Sequence, residues 1–153
     1  MRTVTAIALG MFLACFACVH TSQAGVAGSI VAWGDNSEGQ CNVPSGSDFV
    51  AVAAGVYHGL ALKEDGSLAA WGENYFGQCN VPSGNDFVAV SATVSHGLAL
   101  KKDGSIAAWG YNYFGQCNVP TGNDFAAVAA GGCHNLVLKA DGSVVAWGRT
   151  DYG

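Results

Sequence analysis

The stretch "VAAGVYHGLALKEDGSLAAWGENYFGQ" (residues 52–78) contains apolar runs joined by a short turn. In the run 58–63, Leu60 and Leu62 alternate with smaller or polar residues, which is typical of a β-strand. The run 67–72 follows Asp65-Gly66, a pair favoured in hairpin turns because glycine adopts a positive φ at little cost. Together with the apolar run 49–55, the pattern predicts three short strands, the last two forming a hairpin.

This pattern recurs with a fixed period of 38 residues, as shown by Trp33, Trp71, Trp109 and Trp147. The units that begin at Gly28 and Gly66 are identical at 28 of 38 positions, so one local structure serves all copies. A period of this size is typical of a propeller or a solenoid. The predicted repeat domain covers residues 25–153, with repeats at 28–65, 66–103 and 104–141 and a partial repeat at 142–153.

The composition of the strands favours a β-propeller within an all-β fold. Small residues such as those at 52–55 fit the crowded innermost strand of a propeller, whereas tryptophans and leucines fill the wider space between blades. We therefore predict about three blades plus a partial one. A β-solenoid is the alternative, because the period alone does not separate the two architectures.

The first residues have the pattern of an export signal. Arg2 supplies a positive charge, residues 6–19 are apolar, and Ser22-Gln23-Ala24 provides small residues at a cleavage site. Residues 1–24 are therefore predicted to be a secretory signal peptide, and the protein to be secreted, periplasmic or displayed at the cell surface. The apolar run is too short for stable membrane insertion.

The charge balance excludes one class of partner. The chain has 11 Asp and Glu against 6 Lys and Arg, and its basic residues form no cluster. Because nucleic-acid binding depends on clustered Lys and Arg that neutralise phosphates, no nucleic-acid partner is expected.

The repeated histidines and cysteines are interpreted as structural. Equivalent positions in neighbouring blades lie too far apart to share one zinc ion or one disulfide, so we predict no metal site, no cofactor and mostly free thiols. Each histidine is expected to bond to backbone or to a neighbouring side chain. A disulfide between Cys117 and Cys133 stays open as an alternative. Cys133-His134 is the one local pair outside the repeat consensus, and an enzyme site at the propeller mouth would have to use it.

The sequence of residues 52–78 resembles the repeats of the regulator-of-chromosome-condensation family. The shared features are a small inner strand, a histidine before an apolar strand, Asp-Gly, and then Trp-Gly-x-Asn-x-x-Gly-Gln. The spacing is similar to the short-repeat bacterial branch that includes a secreted β-lactamase-inhibitory propeller. The resemblance implies a propeller, commonly seven-bladed, that presents loops to protein partners. With fewer repeats than seven, the chain is expected to be a fragment of a longer propeller, or to self-associate if complete.

The repeats differ mainly in the loops after Trp-Gly, and those differences predict the binding residues. Aromatic side chains are enriched in binding hot spots, and the candidate residues are Tyr75, Phe76, Tyr111, Tyr113, Phe114, Tyr152, Glu38 and Glu73. The sequence thus predicts a secreted, non-enzymatic repeat scaffold that binds an unidentified protein through these loops. Inhibition of a secreted hydrolase and an enzyme at the propeller mouth are the alternatives.

Overall fold

The computed structural model describes residues 4–5 and 27–151, and they form an all-β fold. Its strands are β1 (Val4–Thr5), β2 (Ile30–Val31), β3 (Phe49–Ala54), β4 (His58–Lys63), β5 (Leu68–Gly72), β6 (Phe87–Ala92), β7 (His96–Lys101), β8 (Ile106–Gly110), β9 (Phe125–Ala130), β10 (His134–Lys139) and β11 (Val144–Gly148). Apart from β1, the predicted signal peptide lies outside the described residues. No helix that could span a bilayer occurs in the part of the chain that the structure describes.

The strands form three antiparallel meanders, β3-β4-β5, β6-β7-β8 and β9-β10-β11, which confirm the predicted strands and hairpins. The short β1 pairs in parallel with β2. Within residues 27–151 the three sheets share no strand pairing and instead pack face to face, β4 against β6 and β7 against β9. The solenoid alternative is therefore wrong, because a solenoid joins the strands of successive repeats in continuous sheets.

Both faces of the middle strand of a sheet are buried. Leu60 and Leu62 pack against Phe87 of the next sheet, and Ala61 on the opposite face packs against Ile30 of β2. The sequence alternation indicates one apolar face, but even the small Ala61 is fully buried, because this sheet lies between two neighbours. The core thus consists of layers between successive sheets, as it does between propeller blades.

A tryptophan ties each sheet to the loop that precedes it. The Trp71 indole Nε1 donates a hydrogen bond of 2.8 Å to the Gln40 carbonyl oxygen. Gly59 lies opposite Trp71 in the β4-β5 register, and a Cβ at Gly59 would lie 2.3 Å from Trp71 Cζ2. The indole of Trp71 as placed therefore leaves no room for a Cβ at Gly59, whereas in the third sheet Asn135 stands opposite Trp147. The same bond recurs from Trp109 to Gln78 at 2.9 Å and from Trp147 to Gln116 at 3.0 Å.

The predicted Asp-Gly turns join the second and third strands of each sheet. Asp65 Oδ1 accepts hydrogen bonds from the Ser67 backbone N–H at 2.8 Å and from the Ser67 hydroxyl at 2.6 Å, and these bonds lower the pKa of Asp65. Gly66 has a φ of 84°, in the left-handed region that glycine favours. Asp103 and Asp141 make the same contacts. The interpretation of these aspartates as turn residues is confirmed.

The three repeated histidines differ, and one prediction about them is wrong. His96 Nδ1 bonds to the Thr93 hydroxyl at 3.0 Å, and His96 Nε2 bonds to Asn135 Oδ1 at 2.8 Å, as expected for a structural histidine. His58 is equally buried, yet neither of its ring nitrogens has a hydrogen-bond partner among the described residues. His134 is exposed.

His96 and His58 differ in hydrogen bonding because different residues of the next sheet lie opposite them. Asn135 in β10 reaches back to His96 and also donates a bond of 2.6 Å to the Gln116 carbonyl. At the equivalent position before it, β7 has Gly97, which has no side chain to offer His58. Burial is the main cause that lowers the pKa of His58 to about 4; the nearby His96 also lowers it, and the Val94 backbone raises it.

Replacing Gly59 with alanine is expected to destabilise the fold by about 1–3 kcal/mol, because the added methyl overlaps the Trp71 ring as it lies and forces the ring or the strand to shift. Urea unfolding followed by tryptophan fluorescence measures this change. Gly132→Ala is the matched control, since a Cβ there meets nothing within 4 Å, and its effect should stay within about 0.5 kcal/mol. Equal effects of the two substitutions would contradict the role assigned to the glycine.

Acidification is expected to destabilise the protein before its carboxylates protonate. The unfolded chain protonates His58 near pH 6.5 and the folded chain only near pH 4, so the unfolded state binds more protons between these values. Stability present above pH 6.5 is therefore lost as the pH falls to 4, by on the order of 2–3 kcal/mol. Urea unfolding at a series of pH values measures the loss.

His58→Leu should flatten most of this pH dependence, and the pKa of His96, which burial also lowers, accounts for a remainder. Parallel pH profiles for the wild-type protein and His58→Leu would rule out His58 as the cause.

Candidate functional site

The loops after the Trp-Gly motifs, residues 34–41, 72–79 and 110–117, share one set of internal hydrogen bonds. In the second loop, Asn74 Oδ1 accepts from the Cys79 N–H at 2.8 Å, and Asn74 Nδ2 donates to Asn80 Oδ1 at 2.9 Å. Gln78 Oε1 accepts from the Phe76 N–H at 2.9 Å. Because the backbone of the loop tip is held in this way, its side chains are preorganised for contact with a partner.

The loop cysteines belong to this framework. Cys79 Sγ donates to the Glu73 carbonyl at 3.1 Å, and Cys41 and Cys117 make the equivalent bonds. Burial raises the pKa of Cys117 to about 11, so its thiol stays protonated and unreactive. These three cysteines and Cys133 are free thiols in the structure.

Five predicted site residues form one continuous aromatic strip across two loops, consisting of Tyr75, Phe76, Tyr111, Tyr113 and Phe114. The Tyr75 and Phe76 rings meet edge to face with centroids 4.8 Å apart, and Phe76 contacts Tyr111 of the next loop at 4.7 Å. Tyr111 then lies 6.3 Å from the Tyr113 ring and 6.3 Å from the Phe114 ring. Positions 38 residues apart in sequence are thus joined into a single surface.

Within each aromatic pair, the two rings have different environments. Tyr75 and Tyr113 are 83% and 79% exposed, whereas Phe76 is 42% exposed and Phe114 is half-buried. The sequence leaves open whether these aromatics contact solvent or the next blade. In the structure the first ring of each pair faces solvent and the second packs against the following loop.

The two ends of the strip differ in charge, since one has a cation paired with a carboxylate and the other has two carboxylates. At one end the Arg149 guanidinium lies 4.5 Å from the Phe114 ring centroid and donates to Asp151 at 2.7 Å. At the other end the first loop has the exposed Glu38 at the position equivalent to Phe76, and the second loop has the half-buried Glu73. Tyr152, also a predicted site residue, lies outside the described residues.

Tyr111 breaks a hydrogen bond that the other two loops make. Gln40 Nε2 donates to Asp35 at 3.1 Å, and Gln78 Nε2 donates to Glu73 at 3.0 Å. In the third loop Tyr111 replaces the carboxylate, and the fully buried Gln116 Nε2 has no partner among the described residues. The sequence identifies Tyr111 as a candidate only because it is aromatic. The overlooked signal is the change from Asp and Glu to Tyr five residues before an otherwise constant glutamine.

The candidate catalytic pair occupies an unremarkable position at the start of β10. Cys133 is half-buried and His134 is exposed. Across residues 27–151, no three His, Cys, Asp or Glu side chains converge where they could hold a metal ion. A cavity of about 40 Å³ beside His58 and Trp71 is too small for a metabolite. The described geometry therefore gives the aromatic strip as the strongest candidate site.

Solved structures with the same fold include Prp20p from Saccharomyces cerevisiae, with 20% identity and a TM-score of 0.64 over 76% of this chain. Human WBSCR16 matches with 23% identity and a TM-score of 0.63 over 74% of this chain. The ectodomain of the Physcomitrella patens receptor kinase CR4 matches with 23% identity and a TM-score of 0.61 over 69%. The matched regions cover 40%, 41% and 30% of those chains, so this chain spans well under half of their length.

These neighbours are β-propellers, and the three sheets of this chain correspond to propeller blades. A search of curated proteins found no significant match. A family model, the regulator of chromosome condensation (RCC1) repeat, matches residues 49–78, 87–116 and 125–153, together more than half of the chain. Each match begins at the first strand of a sheet and extends through its Trp-Gly loop. The chain therefore belongs to the regulator of chromosome condensation (RCC1) repeat family.

Proposed function

We propose that this chain is a non-enzymatic scaffold that binds a protein partner through the aromatic strip on its Trp-Gly loops. The observation that carries the proposal is the continuity of five rings from Tyr75 to Phe114 on one preorganised surface. Tyrosines as exposed as Tyr75 and Tyr113 offer large, rigid contact areas at low cost in conformational entropy. The scaffold fixes the positions of the rings, and the partner would bury them.

The exchange at Tyr111 supports a role in binding. A buried amide without a partner costs about 1–3 kcal/mol, and the neighbouring loops avoid this cost with a carboxylate. A residue that removes a stabilising contact kept in the other repeats is expected at a functional site. Tyr111 gives up the bond to Gln116 and supplies the central ring of the strip.

The related structures are consistent with a binding role. The structure of Prp20p was reported with its binding properties to Gsp1p and histones, and the same yeast protein was solved bound to Kap60. Because this chain spans about two fifths of those proteins, their partners are not transferred to it. Export follows from the predicted signal at residues 1–24, and inhibition of a secreted hydrolase is a narrower form of the same proposal, based on family resemblance.

Loop exchange tests the proposal without disturbing the fold. Tyr75→Ser with Phe76→Glu gives the second loop the residues that the first loop has as Ser37 and Glu38, and both loops share the same framework. We expect unchanged thermal stability and a loss of affinity of about tenfold or more for a protein captured from the extracellular fraction, measured by surface plasmon resonance. Val144→Ser, an exposed change in the third sheet, is the control. Equal binding by the two variants would contradict the proposal.

Tyr111→Gln is expected to separate stability from function. Its side-chain oxygen can accept from Gln116 Nε2, so the free energy of unfolding should rise by about 1 kcal/mol while partner affinity falls. Urea unfolding and binding to the captured protein measure the two effects on one sample. Tyr111→Leu is the matched control, since it removes the ring without supplying an acceptor. Unchanged partner affinity in both variants would show that Tyr111 has no role in binding.

A further inference from the structure

Four cationic side chains of this chain share one arrangement, in which the cation lies over a phenylalanine ring and beside a carboxylate. Lys63 Nζ lies 5.5 Å from the Phe49 ring centroid and 3.2 Å from Asp48 Oδ2. Lys101 and Lys139 repeat this geometry, and Arg149 does so with Phe114 and Asp151. The ring face and the carboxylate attract the same cation, so each of these sites is complete within the chain.

The acidic end of the aromatic strip has the rings and the carboxylates, but no cation lies there among residues 27–151. Glu73 lies in the same loop as Tyr75 and Phe76 and accepts a hydrogen bond from Gln78, but neither Glu73 nor Glu38 forms an ion pair among the described residues. Where Phe76 contacts Tyr111 of the next loop, the equivalent residues one repeat earlier are Glu38 and Glu73. Two carboxylates in this relation repel each other unless a cation lies near them.

The lysines of the chain lie at the opposite end of the sheets and therefore cannot pair with the carboxylates at this end of the strip. In the β4-β5 register, His58 pairs with Gly72 at the loop end, and Lys63 lies at the opposite end of the sheet. The other lysines, Lys101, Lys102 and Lys139, are equivalent to or adjacent to this position in the next sheets. At the loop end of the described chain the cation is Arg149, which is bonded to Asp151 at the far end of the strip.

We infer that the aromatic strip binds an extended, positively charged segment of a protein partner. Its lysine or arginine side chains would lie over the exposed rings of Tyr75 and Tyr113 and beside Glu38 and Glu73. The partner would thereby complete the arrangement of ring, carboxylate and cation that the chain forms elsewhere with its own residues. This inference rests on the proposed function and specifies the chemistry of the partner.

The test uses two synthetic peptides of about twelve residues, long enough to span roughly 40 Å when extended. Both have the same apolar residues, and one has lysine where the other has glutamate. Fluorescence anisotropy with the full chain is expected to show binding of the lysine peptide at least about tenfold tighter than the glutamate peptide. That affinity should weaken as salt rises from about 0.05 to about 0.5 M.

Two variants locate the contact. Glu38→Gln combined with Glu73→Gln removes both charges while keeping an oxygen that can accept from Gln78, and it should weaken lysine-peptide binding by about tenfold. Tyr75→Leu keeps apolar area but removes the ring, and it should weaken binding by about threefold. The control is Glu64→Gln, which removes one charge from an exposed turn at the opposite end of the sheet and should change nothing.

Some outcomes overturn the inference and leave the proposed function standing. These are equal binding of the two peptides, no binding of either, or unchanged lysine-peptide affinity in the double glutamine variant. In each case the loop exchange at Tyr75 and Phe76 still weakens binding of the captured protein by about tenfold or more. Salt-insensitive binding of a neutral oligosaccharide that displaces the captured protein from the strip would overturn both, because the rings would then serve as a sugar platform.

Discussion

The hydrogen bond from each indole to the carbonyl of the preceding loop is the interaction on which the rest of the structure depends. It ties Trp71, Trp109 and Trp147 to glutamine carbonyls 31 residues earlier, and so fixes each loop to the sheet that follows it. At Gly59 and Gly97 the ring lies so close that a Cβ would overlap it, whereas opposite Trp147 the bond is kept with Asn135 in the glycine's place. The apolar layers between sheets supply the bulk of the stabilisation, and the indole bond sets the register in which they pack.

Near-identical repeats make the departures from the consensus informative. Asn135 replaces the glycine of the earlier repeats and forms a buried relay from Thr93 through His96 to the Gln116 carbonyl. At Tyr111 the change has the opposite effect, because it leaves Gln116 Nε2 without a partner. Asn135 adds hydrogen-bonded polar groups to the core, whereas Tyr111 removes a hydrogen bond beneath an exposed surface. The first therefore has a structural explanation, and the second supports a role in binding.

Within each loop, one set of residues holds the backbone and another set forms the exposed surface, so a repeated scaffold can carry a specific surface. Asn74, Gln78 and Cys79 hold the backbone through bonds that recur in every described copy, so the tip residues can change without loss of the loop conformation. Binding energy is then set by side chains that the scaffold does not need, such as Tyr75. Because equivalent loops lie side by side, Phe76 and Tyr111 touch although they are distant in sequence.

The sequence by itself determined the all-β class, the period of 38 residues, the strands and the Asp-Gly turns, because these depend on local alternation, glycine conformation and repetition. It also identified the aromatic loop residues as candidates. Only the tertiary structure decided which ring of each pair is exposed, that Phe76 packs on Tyr111, and that His58 lacks the partner that His96 has. These outcomes depend on which residue of the next sheet or loop lies opposite each side chain. The packing of whole sheets against each other decides this pairing, and neighbours along the chain do not.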